Sequence, residues 1–73
     1  MFGMLKKRAI IEGMSCNHCV KRVENALKEL EGVQDVKVNL KKKTADIKLT
    51  ADLSSEKIKQ AVEEAGYEVI EIS

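Results

Sequence analysis

The order in which apolar residues change their spacing limits this chain's fold more than any other feature. From Leu5 to Glu12 the pattern is that of a strand, with Ala9 and Ile11 on one face and Lys6, Arg8 and Glu12 on the other; Ile10 interrupts the alternation. Val20, Val23, Leu27 and Leu30 then recur three and four apart, the stripe of an amphipathic helix, and Gly32 is expected to stop it. Val36, Val38 and Leu40 alternate with polar residues, as do Ala45, Ile47 and Leu49. Lys41-Lys42-Lys43-Thr44 between them marks a hairpin. A second helix follows, with Ile58, Ala61, Val62 and Ala65 on one face, Ser54 to cap it and Glu56 in its first turn. Gly66 ends it, and Tyr67 to Ile72 reads as a last strand.

A chain of 73 residues has room for one core, and two striped helices can share it with four half-buried strands only by covering the same sheet face. The expected fold is therefore an α+β, ferredoxin-like βαββαβ sandwich, with a four-stranded antiparallel sheet and two helices on one side, spanning residues 1–73 as one domain. That topology gathers three loops at one end: Gly13 to Asn17, Lys41 to Lys43, and Gly66 with Tyr67.

Composition removes several functions. A net charge of +1 and only two aromatics, Phe2 and Tyr67, argue against a nucleic-acid-binding surface. No apolar run approaches the roughly 20 residues of a membrane helix, so neither membrane insertion nor export is expected and a cytoplasmic location is the default. In a reducing compartment a close cysteine pair points to metal or redox chemistry more than to a structural disulfide.

Cys16 and Cys19 form that pair, three apart where the first strand gives way to the first helix. Unpaired N–H groups at a helix start favour thiolate, and two converging thiolates are soft ligands suited to Cu(I). Structural zinc usually takes four Cys or His ligands, and this stretch offers three at most. Met14 is a soft thioether, read as core filling rather than as a ligand. His18 is read as an outward residue that tunes the site, with direct ligation as the alternative. Tyr67 is read as edge packing or as a support of the metal loop. Lys41, Lys42 and Lys43, with Lys21 and Arg22, form either a solvated surface or a docking surface for an acidic partner.

Gly13-Met14-Ser15-Cys16-Asn17-His18-Cys19, in this topology and with Gly66-Tyr67 before the last strand, resembles the heavy-metal-associated domain family, and within it the bacterial copper chaperones of the CopZ type. The likeness covers almost the whole chain; the lead Met1 to Lys6 is longer than the family pattern. The resemblance implies one Cu(I) per monomer on Cys16 and Cys19, loop support from Met14, and a Tyr at position 67 as in bacterial members. The sequence holds no Ser-His-Asp set, paired carboxylate site or phosphate-cradling glycine loop, so a non-enzymatic carrier is expected, monomeric when metal-free, with a metal-bridged homodimer as an option. The implied partners are a metal-binding domain of a copper-transporting P-type ATPase or a copper-responsive repressor. Three alternatives stand beside it: a carrier of Hg, Zn or Cd, an excised domain of a transporter, and a thiol–disulfide oxidoreductase. The absence of any proline weighs against the last. The initiating Met1 and the short end after the last strand favour a complete protein over an excised domain.

Overall fold

The computed structural model describes residues 5–73; the first four residues of the N-terminal lead lie outside the described residues. The elements follow the expected order: β1 (Leu5–Glu12), α1 (Asn17–Lys28), β2 (Val33–Asn39), β3 (Thr44–Leu49), α2 (Ser55–Glu64) and β4 (Glu68–Ile72). The sheet has the order β2-β3-β1-β4, antiparallel throughout, with β1 paired to β3 from Leu5↔Leu49 to Ile10↔Thr44. This is the ferredoxin-like arrangement that the periodicities imply.

Alternation along β1 and β3 turns Ala9, Ile11, Ala45, Ile47 and Leu49 to one face, where all are buried. Val23 and Leu27 of α1 and Ile58 and Val62 of α2 meet them there. Side chains three and four apart on each helix thus close one core over one sheet face, and the other face stays bare. Ile10, the residue that interrupted the alternation, belongs to that bare face. It sits beside a register shift against β4, where Ile70 is the extra residue. A second shift lies in β2 between Val33 and Asp35. Both outer strands therefore carry an irregularity, a feature that discourages pairing with a further strand.

Three sequence expectations move. Helix α1 ends at Lys28 with Glu29 as its C-cap, so Leu30 lies beyond it and Gly32 is not its stop. The Leu30 N–H bonds the Leu27 carbonyl (3.1 Å), turning Leu30 back onto the core, while the Gly32 carbonyl accepts from the Thr50 N–H (2.7 Å). Leu40 belongs to the hairpin turn rather than to β2, and Tyr67 precedes β4 rather than opening it. Gly66 does end α2. Its φ of +101° lets the Gly66 N–H reach the Glu63 carbonyl and the Tyr67 N–H reach the Val62 carbonyl, a Schellman closure that a side chain at 66 would strain.

Candidate metal centre

The end of the sheet where β1 finishes brings the three loops together as the topology requires. The Lys43 carbonyl accepts from the Ile11 N–H at 2.7 Å, and Lys43 Nζ meets Glu12 Oε2 at 3.6 Å. The hairpin is therefore tied to the strand that leads into the cysteine loop. On the other flank Tyr67 closes against Gly13, where a Cβ would stand 3.4 Å from the Tyr67 ring. Gly13, at φ +101°, lets the loop pass under that ring.

Cys16 occupies the N-cap of α1 and Cys19 its third helical position, so one turn of helix points both sulfurs the same way. They are free thiols 3.9 Å apart, far beyond the roughly 2.05 Å of a disulfide. Metal–thiolate bonds of about 2.3 Å, as in zinc sites, allow two sulfurs on one ion to lie up to about 4.6 Å apart. The pair therefore fits a single ion without rebuilding the backbone. Cys16 is exposed and Cys19 half-buried, so the site opens outward on the Cys16 side.

The electrostatics favour thiolate at Cys19. A hydrogen bond from the Ser15 backbone, then one from the Tyr67 hydroxyl, lower its pKa from 9.0 to about 6, against the opposing effect of partial burial. The same contact raises the Tyr67 pKa, chiefly through its hydrogen bond to Cys19, so the phenol keeps its proton and donates; the Arg22 guanidinium pulls the opposite way. Ser15 Oγ lies 3.8 Å from Cys19 Sγ. Sequence reasoning missed this residue, whose only signal was a short hydroxyl next to the first cysteine.

Of the other residues singled out, Met14 is buried at 7% exposure and belongs to the core. His18 is exposed, and among the described residues no three His, Cys, Asp or Glu side chains converge as a metal-holding group. Lys21, Arg22, Lys41, Lys42 and Lys43 are all exposed, but Lys43 is held by Glu12 and Arg22 leans on Tyr67. That leaves Lys21, Lys41 and Lys42 as the freer cations near the loop. The Lys42 N–H bonds Asn39 Oδ1 (3.0 Å), which fixes the hairpin that carries two of them.

Known proteins match both the sequence and this geometry. The copper chaperone CopZ of Bacillus subtilis (strain 168) is 48% identical over 67 residues, covering 90% of this chain and 97% of that protein. A stretch making up 7% of the copper-transporting ATPase 2 of Rhizobium meliloti (strain 1021) is 52% identical over 62 residues, or 81% of this chain. A solved structure described as the CopZ metallochaperone superposes with a TM-score of 0.85 at 33% identity, covering 90% of this chain and all of that one. The heavy-metal-associated domain model matches residues 9–68, from the core strand through both cysteines to Glu68, and this chain belongs to the heavy-metal-associated domain family.

Proposed function

We propose that the chain is a copper carrier: it holds one Cu(I) on the thiolates of Cys16 and Cys19 and passes it by thiol exchange to a metal-binding domain of a copper-transporting P-type ATPase. The observation that carries this reading is the pair of free sulfurs 3.9 Å apart on one exposed helix start. Two soft ligands satisfy Cu(I) and leave its remaining positions open, whereas zinc, with its preference for four ligands, is held poorly. Support for the metal and the acceptor comes from relatives named as a copper chaperone and as a copper-transporting ATPase.

Transfer needs no change of oxidation state. An incoming thiolate adds to Cu(I) from the exposed Cys16 side and gives a three-coordinate ion. One bond to this chain then breaks, and the released sulfur takes up the proton that the incoming thiol gave up. The half-buried Cys19, held by Ser15 and Tyr67, is the more firmly placed ligand, so Cys16 is the first to let go. Donor and acceptor of similar sequence present similar sites, so the exchange is near balance and runs toward whichever side is depleted. Lys21, Lys41 and Lys42 would speed the encounter with an acidic partner face without altering affinity. The chain acts as a carrier, not as an enzyme. A reducing cytoplasm would keep both thiols free, and an open two-ligand site also admits a second copy across the same ion. A copper-responsive repressor would be a further acceptor by the same exchange.

The test is a Cu(I) titration of the reduced protein against a chromogenic chelator, with Zn(II) run beside it. One Cu(I) per monomer is expected, with Zn(II) bound far more weakly. A double Cys16→Ser, Cys19→Ser variant that still held Cu(I) tightly would end this reading.

A further inference from the structure

Two like-charged pairs face each other across strands on the sheet side that the helices leave bare, one toward each end of β1. Lys6 stands directly opposite Lys48 at the end away from the cysteines, and Glu12 directly opposite Glu68 at the cysteine end. Like charges so placed cost stability unless something of opposite sign lies over them. Register adds Lys37 of β2 to the basic end and Glu71 of β4 to the acidic one. Part of the charge is answered within the chain: Arg8 Nε meets Asp46 Oδ1 at 2.7 Å, and Lys43 reaches Glu12. Among the described residues Lys6, Lys37 and Lys48 make no ion pair, and neither do Glu68 and Glu71. All five are exposed.

Whatever covers this face must match both signs. Its strands carry the cations of Lys6, Arg8, Lys37 and Lys48 and the carboxylates of Glu12, Asp35, Asp46, Glu68 and Glu71. An extended anion, such as a bilayer or a nucleic acid, would reach the basic end only by pressing on the acidic one. A uniformly basic surface meets the converse difficulty. A surface with one basic and one acidic cluster at the same separation satisfies both, and a second copy of this chain is such a surface. We propose that two copies associate weakly through their bare sheet faces, the basic end of each lying on the acidic end of the other.

The strand order sets the geometry. In β2-β3-β1-β4 the free lysines occupy the first three strands at one end and Glu68 and Glu71 the last strand toward the other, so the clusters are diagonal neighbours. A two-fold axis that exchanges them lies in the interface along the opposite diagonal. The strands of the two copies then cross near right angles, one of the ordinary ways in which sheets pack face to face. The uncharged Asn39 and Thr44 fall toward that axis, and half-buried Ile10 lies near the middle of the face. Joining through the sheet edges is discouraged by the register shifts against β4 and in β2, which leaves the face as the route for pairing.

The face measures about 20 Å along the strands and about 19 Å across them, or about 400 Å² per copy, about half of a standard interface. A net charge of +1 gives two copies little overall repulsion, yet a contact this small leaves the chain monomeric when dilute. Cys16 and Cys19 lie off this face, at the start of a helix packed on the opposite side. The pairing therefore needs no metal and differs from a bridge through one.

Sedimentation equilibrium of the full-length, reduced chain with a metal chelator present tests it. The weight-average mass should rise above 8.2 kDa between about 0.1 and about 1 mM protein, and rise less in high salt. Glu68→Lys with Glu71→Lys should weaken the dimer at least about tenfold, as should Lys6→Glu with Lys48→Glu. Mixing these two variants should restore it, because each reversed cluster then meets its opposite. All four side chains are exposed, so an unchanged circular dichroism spectrum should show both variants folded. Glu63→Lys with Glu64→Lys, exposed on α2, changes the net charge as much as the first variant and should dimerise within about threefold of the native chain at physiological salt. A chain that stays monomeric throughout, or that associates only once Cu(I) is added, would overturn the proposal. So would equal loss in the α2 variant, a dimer that both reversals leave intact, or a mixture that fails to recover.

Discussion

Helix α2 begins with its end closed, while α1 begins with its end open. At the start of α2, Ser54 Oγ accepts from the Lys57 N–H at 3.4 Å and Glu56 brings a negative charge to the first turn. At the start of α1 the same N-cap position holds Cys16, which makes no side-chain cap bond, and the first turn holds no acid. Capped ends of this kind contribute about 0.5–2 kcal/mol, and α1 forgoes it. In exchange, unpaired N–H groups and the positive end of the dipole face two sulfurs at the very spacing that a capping box uses for Ser and Glu. The same backbone device thus serves stability in one helix and thiolate chemistry in the other.

The largest effect that separates the two ends is on metal affinity. Cys19→Ser should cost about a thousandfold in Cu(I) affinity, about 4 kcal/mol, whereas Ser54→Ala should leave it unchanged in the same chelator competition. A transplant sharpens the contrast. Ser54→Cys with Lys57→Cys recreates the C-x-x-C spacing at the start of α2, in a variant whose own Cys16 and Cys19 are serines. It should bind Cu(I) at least about tenfold more weakly than the native loop, because no Tyr67 hydroxyl is placed to serve it. Equal affinity would mean that a helix start and two cysteines suffice, and that the surrounding loops add nothing.

Stability comes next, and the two N-caps should respond with opposite sign. Cys16→Ser supplies the missing cap and should stabilise the metal-free protein by about 1 kcal/mol; Ser54→Ala should destabilise it by a similar amount. Thermal melts should move about 4–8 °C up and down respectively for a domain of this size. A melt lowered by Cys16→Ser would show that the cysteine side chain already satisfies that end.

Acidity gives a smaller signal. Cys19 titrates at about 6 in the fold against 9.0 unperturbed, so its hydrogen-bonded thiolate adds stability that is complete above pH 9.0 and is lost as pH falls through about 6. Thiolate absorbance and the rate of alkylation at Cys19 should both turn over near pH 6. Tyr67→Phe removes the second-largest cause of the shift and should move that midpoint upward. An unmoved midpoint would mean that the phenol does not touch the sulfur in solution.

The smallest expected change is at His18, which shares with Glu56 the second position of its helix. His18→Ala should alter Cu(I) affinity by about tenfold or less, about 1.4 kcal/mol, since the side chain lies exposed and apart from any cluster of ligands. A loss of several orders of magnitude in the chelator titration would make it a ligand.

The sequence by itself determined the element order, the buried faces and the cysteine pair, because period-two and period-three-to-four patterns are local records of which face meets the core. Ala9 with Ile11, Val23 with Leu27 and Ile58 with Val62 are legible for that reason, and so is the Ser54 cap, whose donor is three residues away. Boundaries were less legible. Leu30 keeps the helix period yet leaves the helix, since a turn tied to Thr50 far along the chain decides where α1 stops. Only the tertiary structure decided the surroundings of the metal pair. Tyr67 is forty-eight positions from Cys19 in sequence and reaches it because β4 starts where β1 ends; Lys43 is drawn to Glu12 by the separate antiparallel pairing of β1 with β3. The bare basic face is likewise invisible to periodicity, because Lys6, Lys37 and Lys48 become neighbours only through register. Local spacing fixes what a residue does to its own element, and strand pairing, set by burial across the whole chain, fixes which distant charges and hydroxyls it meets.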